Sequence, residues 1–184
     1  MIFVDRTAFE AGLPTGFYTD DFSSATNAIG SPAGSYFGSG GLPSIGYSIS
    51  ATGGLFIAPI LSEPTAKFIG PWEDMDDLVV TFNLPVYRVG IEVNLEDFAG
   101  PRSGTVFLDF SSGASASINV PNTVNFAFIG LYSDTPLSSM TIRAQGGGVF
   151  TNTTRLTTAV PEPSSALLLA CCAAVCIACQ PRRR

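Results

Sequence analysis

The clearest hydrophobic pattern in the chain runs from Tyr87 to Leu95. Tyr87, Val89, Ile91, Val93 and Leu95 alternate with Arg88, Gly90, Glu92 and Asn94. A period of two is the pattern of a half-buried strand. Leu78 to Phe82 precedes it, and Asn83-Leu84-Pro85 reads as the turn joining the two into a hairpin. Thr105 to Phe110 places Val106, Leu108 and Phe110 on one face. Phe126 to Leu131 is apolar on both faces, which suits a central strand. Further strands are expected at Ile45 to Ala51, Leu55 to Ile60, Ser138 to Arg143 and Val149 to Thr151, with Asp21-Phe22 opening another. One segment breaks the pattern. In Asp5 to Leu13, Asp5 is a candidate N-cap, Phe9 and Leu13 share a helical face, and Gly12 and Pro14 end the helix.

Turn residues are spread along the chain, with 19 Gly and 13 Pro. Short β-branched and aromatic runs between such signals predict an all-β antiparallel sandwich or barrel. Gly38 to Gly41, Gly53-Gly54 and Gly146 to Gly148 read as turns or loops. None is followed by a helix, so none fits a phosphate-binding loop. Thr151 to Ala159 is polar and Thr-rich, and reads as a linker.

The pattern changes after Val160. Pro161 and Pro163 hold the backbone extended around Glu162. Ala166 to Cys179 then carries no charge and no polar face, and Gln180-Pro181-Arg182-Arg183-Arg184 ends the chain. As a helix those 14 apolar residues span about 21 Å, short of the hydrocarbon core of about 30 Å. Ser164, Ser165 and Gln180 bring the segment near the lower limit for crossing. The arginines place the C-terminal end in the cytoplasm and everything before Val160 outside.

Length and charge bound the rest. Of the 184 residues, about 160 precede this tail, enough for one domain with a core of its own. Residues 1–160 hold fourteen Asp and Glu against six Lys and Arg, a net charge of −8. No basic cluster lies outside the tail, which argues against nucleic acid. All four cysteines, Cys171, Cys172, Cys176 and Cys179, sit in the apolar run and read as small apolar residues. The chain has no histidine. That excludes a Ser-His-Asp triad and histidine-containing zinc sites, and the cysteine-free domain excludes thiol chemistry.

What remains is carboxylates and aromatics. Glu73-Asp74-Met75-Asp76-Asp77 is the one dense acidic run, and Glu96-Asp97 closes the Tyr87–Leu95 strand. If the two strands form a hairpin, Asp76, Asp77, Glu96 and Asp97 converge at one edge. Hard oxygen ligands of this kind suit a structural calcium ion. The plainer reading is a solvated acidic turn that keeps an edge soluble. A carboxylate pair is also the minimum for glycoside hydrolysis, but no cleft signature accompanies this one. Trp72, Tyr36, Phe37, Tyr47 and Tyr132 are candidates to stack on sugar rings, set against core or turn packing. Asn152-Thr153-Thr154 matches a glycosylation sequon.

The order Val160-Pro161-Glu162-Pro163-Ser164-Ser165, apolar run, terminal Arg-Arg-Arg resembles the PEP-CTERM sorting signal of Gram-negative bacteria. The resemblance implies that Pro161, Glu162 and Pro163 are the motif recognised by an exosortase, a membrane transpeptidase-like enzyme. It makes residues 166–180 the membrane helix and Arg182, Arg183 and Arg184 the stop signal. It implies transient anchoring in the inner membrane, then processing and release to the cell surface or matrix, much as a GPI signal is removed. A bacterial source sets the sequon aside. Phe128-Ile129-Gly130-Leu131-Tyr132-Ser133-Asp134-Thr135-Pro136, the opening Asp5-Arg6 with Phe9, and Asp21-Phe22 are similar to runs in ectodomains of the same group. They imply a jelly-roll-like β-sandwich of unassigned activity.

The expected organisation is a sandwich over residues 1–158 and a sorting tail over 159–184. The expected role is non-enzymatic, structural or adhesive, and linked to exopolysaccharide or biofilm. The alternative is a lectin-like carbohydrate-binding module or a two-carboxylate glycan-active enzyme. No cofactor is expected beyond the calcium weighed above. Met1 to Arg6 shows no basic n-region, apolar h-region or cleavage site. The resemblance implies a secretory leader, so either one precedes this start or, if this is the true start, the tail would act as a tail anchor.

Overall fold

The computed structural model describes residues 1–13, 17–40, 45–59, 67–73, 76–97, 100–123, 125–145 and 150–159. The expected sorting motif, the apolar run with its cysteines and the terminal arginines lie outside these residues. So do Asp74 and the side chains of Asp97 and Asn152.

The described residues form one helix and eleven strands. In chain order these are β1 (Ile2–Phe3), α1 (Arg6–Ala11), β2 (Tyr18–Asp20), β3 (Ala28–Gly40), β4 (Ile45–Pro59), β5 (Lys67–Pro71), β6 (Leu78–Asp97), β7 (Gly100–Pro101), β8 (Gly104–Phe110), β9 (Ser115–Val120), β10 (Ala127–Ala144) and β11 (Phe150–Ala159). Every pairing is antiparallel, as the alternating pattern predicts. The helix begins where expected. The Asp5 side chain accepts the Ala8 N–H at 2.7 Å, and Gly12 caps the other end.

β6 is the organising strand, and it corrects the expected hairpin. Leu78–Phe82 and Tyr87–Leu95 do not pair with each other. They are two halves of one strand, and both pair with β10, Val80 opposite Met140 and Ile91 opposite Ile129. On the other side the first half takes β4 and the second half β11. Asn83 does not turn the chain back, because its side chain is committed across the sheet, accepting the Gly46 N–H at 2.6 Å. The segment slips the alternation instead. Val86 is fully buried where Tyr87 was expected to face inward, and Tyr87 is half-buried.

Three other expectations change for the same reason: a break in pattern need not be a break in pairing. Gly53-Gly54 is a kink inside β4, with Gly54 at φ +94° packed on Pro32. The two late strands expected at Phe126 and Ser138 are one strand, β10, irregular between Tyr132 and Ser139. The Thr-rich linker is strand β11, with Leu156, Thr157 and Thr158 buried and paired to β6 and β2. Threonine is polar but β-branched, so it suits a pleated, half-buried surface. Asp21-Phe22 does not open a strand but ends β2. Asp20 accepts the Phe22 N–H at 2.7 Å and Asp21 accepts the Ser23 N–H at 3.0 Å, two successive side-chain turns that put Phe22 at φ +58°.

The pairings β4–β5, β5–β11, β11–β6 and β6–β4 close a ring. The inward residues of this curved sheet form a single core, including Ile49, Leu55, Ile69, Val80, Ile91, Val93, Leu108, Ile142 and Leu156. Each such side chain contributes about 1.5–3 kcal/mol on burial. The α1 helix lies on the outer side of β6 and β10. There Arg6 bonds Glu10 at 2.7 Å and Glu92 at 3.2 Å, and Arg155 reaches the same Glu92 at 3.4 Å.

Candidate functional site

Strands β3, β4 and the first half of β6 lie side by side, and their register decides what the outer surface presents. Phe37 pairs with Ser48, and Ser48 with Thr81. Directly opposed residues share a face. Their chain neighbours Tyr36, Tyr47, Ile49, Val80 and Phe82 point into the core, so Phe37, Ser48 and Thr81 point out. Beside them lies an open groove of about 380 Å³, edged by Phe37 and Gly38 on one side and by Thr81, Phe82 and Asn83 on the other, with Gly46, Tyr47 and Ser48 between. Phe37 is 77 % exposed, an aromatic face with no aromatic partner among the described residues.

The edge of this groove is fixed from beneath by a buried carboxylate. Asp20 Oδ2 accepts the hydroxyls of Tyr47 at 2.6 Å, Tyr36 at 2.8 Å and Tyr18 at 3.1 Å, while Oδ1 takes the Phe22 N–H. A buried carboxylate is tolerated when its lone pairs are filled, and here four donors fill them. The cluster ties β2, β3 and β4 together and sets the Tyr47 ring. Gly38 is the space that permits it, since a Cβ there would stand 2.5 Å from the Tyr47 hydroxyl and 2.6 Å from Asp20 Oδ2. Burial raises all three phenols above their ordinary range, and the Asp20 charge raises them further. Tyr36, which also bonds Ser24, is pushed up to about 12; Tyr18 and Tyr47 go higher.

No family model matches the sequence, and no curated protein matches it. Among solved structures, the chain is similar to carbohydrate-binding modules. CsCBM6-3 from Clostridium stercorarium, solved with cellobiose, aligns at 14% identity and a TM-score of 0.37, over 58% of this chain and 82% of that one. A family 29 module variant aligns at 13% identity and 0.42, over 80% and 98%. A second variant of that module, with cellulohexaose, aligns at 14% and 0.41, over 79% and 92%.

The five aromatic candidates divide sharply. Tyr36 and Tyr47 are buried in the Asp20 cluster. Trp72 packs on Phe56, with ring centroids 6.3 Å apart. Tyr132 donates to the Phe9 carbonyl at 2.6 Å, stacks on Phe3 and carries the Arg88 guanidinium over its ring. Phe37 alone of the five is exposed and without a ring contact among the described residues.

The four acidic candidates are not brought together. Asp76 Oδ2 accepts the Gly53 N–H at 2.6 Å, beside β4. Burial raises the Asp77 carboxyl above its usual range, with Arg143 opposing the shift. Glu96 is on the other half of β6, opposite Phe150 and Pro101, and accepts from Asn94 at 3.2 Å. Asp97 follows it, paired with Gly100. The expected convergence required the hairpin, and β6 does not make one. Among the described residues no three His, Cys, Asp or Glu side chains are grouped as a metal site. No helix among them is long and apolar enough to cross a membrane, and the expected span lies outside them.

Sequence reasoning did not find the Asp20 cluster or the groove. The signal for the first was Tyr18, Asp20, Tyr36 and Tyr47 on three neighbouring runs. It became readable only with the β3–β4 register.

Proposed function

We propose that this protein is an exported component of the cell envelope or extracellular matrix that holds polysaccharide without altering it chemically. Its domain is a jelly-roll-like β-sandwich, and it is delivered by its C-terminal PEP-CTERM tail. The observation that carries the binding role is Phe37, an exposed aromatic at the edge of an open groove lined with hydroxyls and an amide. An aromatic face packs on the apolar face of a sugar ring, while Ser48, Thr81 and Asn83 offer groups that both donate and accept. The delivery role rests on the sequence: a Pro-Glu-Pro motif, a charge-free run and three arginines, in that order. An exosortase in the inner membrane would read Pro161, Glu162 and Pro163, with Arg182, Arg183 and Arg184 retained on the cytoplasmic side.

A glycan array probed with the full chain in mild detergent tests the binding role. Retention of at least one polysaccharide that Phe37→Ala abolishes is the expected result. An array on which the wild-type chain retains none defeats the reading.

A further inference from the structure

We infer that the ligand is an uncharged polysaccharide lying across the strands, along an outer-face row that begins at Phe37 and continues through Ser48, Thr81 and Ser139 to Ser111. The inference rests on the binding role proposed for Phe37 and names its substrate class and path. The row follows from register. Phe37 pairs with Ser48, Ser48 with Thr81 and Thr81 with Ser139, and the Ser111 N–H donates to the Ser139 carbonyl at 3.0 Å. It crosses β3, β4, β6 and β10 and ends just beyond β8. Four strand spacings make about 19 Å, a track for an extended oligosaccharide and not for a single ring.

Two observations fix the chemistry. Among the described residues, the hydroxyls of Ser48, Thr81 and Ser139 have no hydrogen-bond partner. Ser111 Oγ accepts the N–H groups of Ser138 at 2.8 Å and Ser139 at 3.2 Å, which leaves its proton to donate outward. Four hydroxyls in line, three able to donate and accept and Ser111 able to donate, match the hydroxyls of a glycan. The row holds no charge. On that face Asp109 and Arg143 pair with each other, and Asp77 lies near both. The domain's excess of carboxylates repels a polyanion, which disfavours uronate-rich or sulfated chains.

The test is isothermal titration of the full chain with cello-, xylo-, manno- and chito-oligosaccharides, from disaccharide to hexasaccharide, and with polygalacturonate. Phe37→Ala and Ser139→Lys are compared, with Ser117→Lys as a control for added charge elsewhere on the face. All variants are first matched to wild type by thermal melt. A Ser139→Lys chain that fails this match is replaced by Thr81→Lys. The expected result is affinity that rises with length in at least one uncharged series. Ser139→Lys should weaken the hexasaccharide by about tenfold or more and leave the disaccharide unchanged, while Phe37→Ala weakens both. If Ser139→Lys binds the hexasaccharide as wild type does and Phe37→Ala does not, the path is wrong and the Phe37 reading stands. Binding of polygalacturonate alone overturns the ligand class. Binding of none of the probes, with none on the array, overturns both readings.

Discussion

Phe9 lies across Gly130 so closely that a Cβ on the glycine would stand 2.5 Å from the ring Cδ2. Gly130 is paired with Gly90 across β10 and β6, and a Cβ on Gly90 would stand 2.9 Å from the same ring. The two glycines form a notch in the sheet, and the one fully buried side chain of α1 fills it. Gly130→Ala should cost about 1–3 kcal/mol, because added volume in a packed site forces shifts. Phe9→Ala should cost about 3–5 kcal/mol. Urea denaturation measures both. Gly30→Ala, with open space around its Cβ, is the control and should stay within about 0.5 kcal/mol.

The Asp20 cluster should behave as a unit. Tyr47→Phe removes one of three hydroxyls from a buried carboxylate oxygen and should cost about 1–3 kcal/mol. Gly38→Ala drives a methyl into the same point and should cost as much. A double mutant of Tyr36→Phe and Tyr47→Phe should depart from additivity, since both serve the same oxygen.

Alkali should unfold the protein through these tyrosines. A phenol whose folded pKa is raised keeps its proton while the unfolded chain loses it. Stability is therefore complete below the ordinary phenol value of about 10. It falls as pH rises through the folded values, about 12 for Tyr36 and higher for Tyr18 and Tyr47. Melting midpoints between neutral pH and strong alkali, read beside tyrosinate absorbance, check this. In Tyr47→Phe the decline should be shallower. An equally steep decline in that variant would place its cause elsewhere.

Chelation should leave the domain untouched. Asp76 is engaged with Gly53 and lies beside β4, while Glu96 lies beside β11. Melting midpoints with and without EDTA should coincide. A drop on adding EDTA, reversed by calcium, would mean that these carboxylates meet an ion after all.

The strand content was legible because alternation is local, and the inward set Val89, Ile91, Val93 and Leu95 is as the pattern predicts. The breaks were not. Asn83-Leu84-Pro85 and Gly53-Gly54 carry turn chemistry, yet each is a bend within a strand. Whether a chain turns back or bends depends on which distant strand accepts its next hydrogen bond. Thr151 to Ala159 misled for a related reason: its threonines are polar by composition but sit between two partners. Of the candidate site, Phe37 was nameable as one aromatic among five. What distinguishes it is that its neighbours Tyr36 and Gly38 face Asp20, and this is a matter of register between β3 and β4.

β11 has a mechanical consequence. It leads directly into the tail, and it lies antiparallel along β6 through nine registered pairs, from Phe150 opposite Glu96 to Ala159 opposite Arg88. Force applied along β11 through the residues that follow Ala159 runs parallel to that strand. Its bonds are loaded together in shear, not opened one at a time like a zipper. A lengthwise pull from the C-terminal end of the domain therefore meets all nine pairs at once.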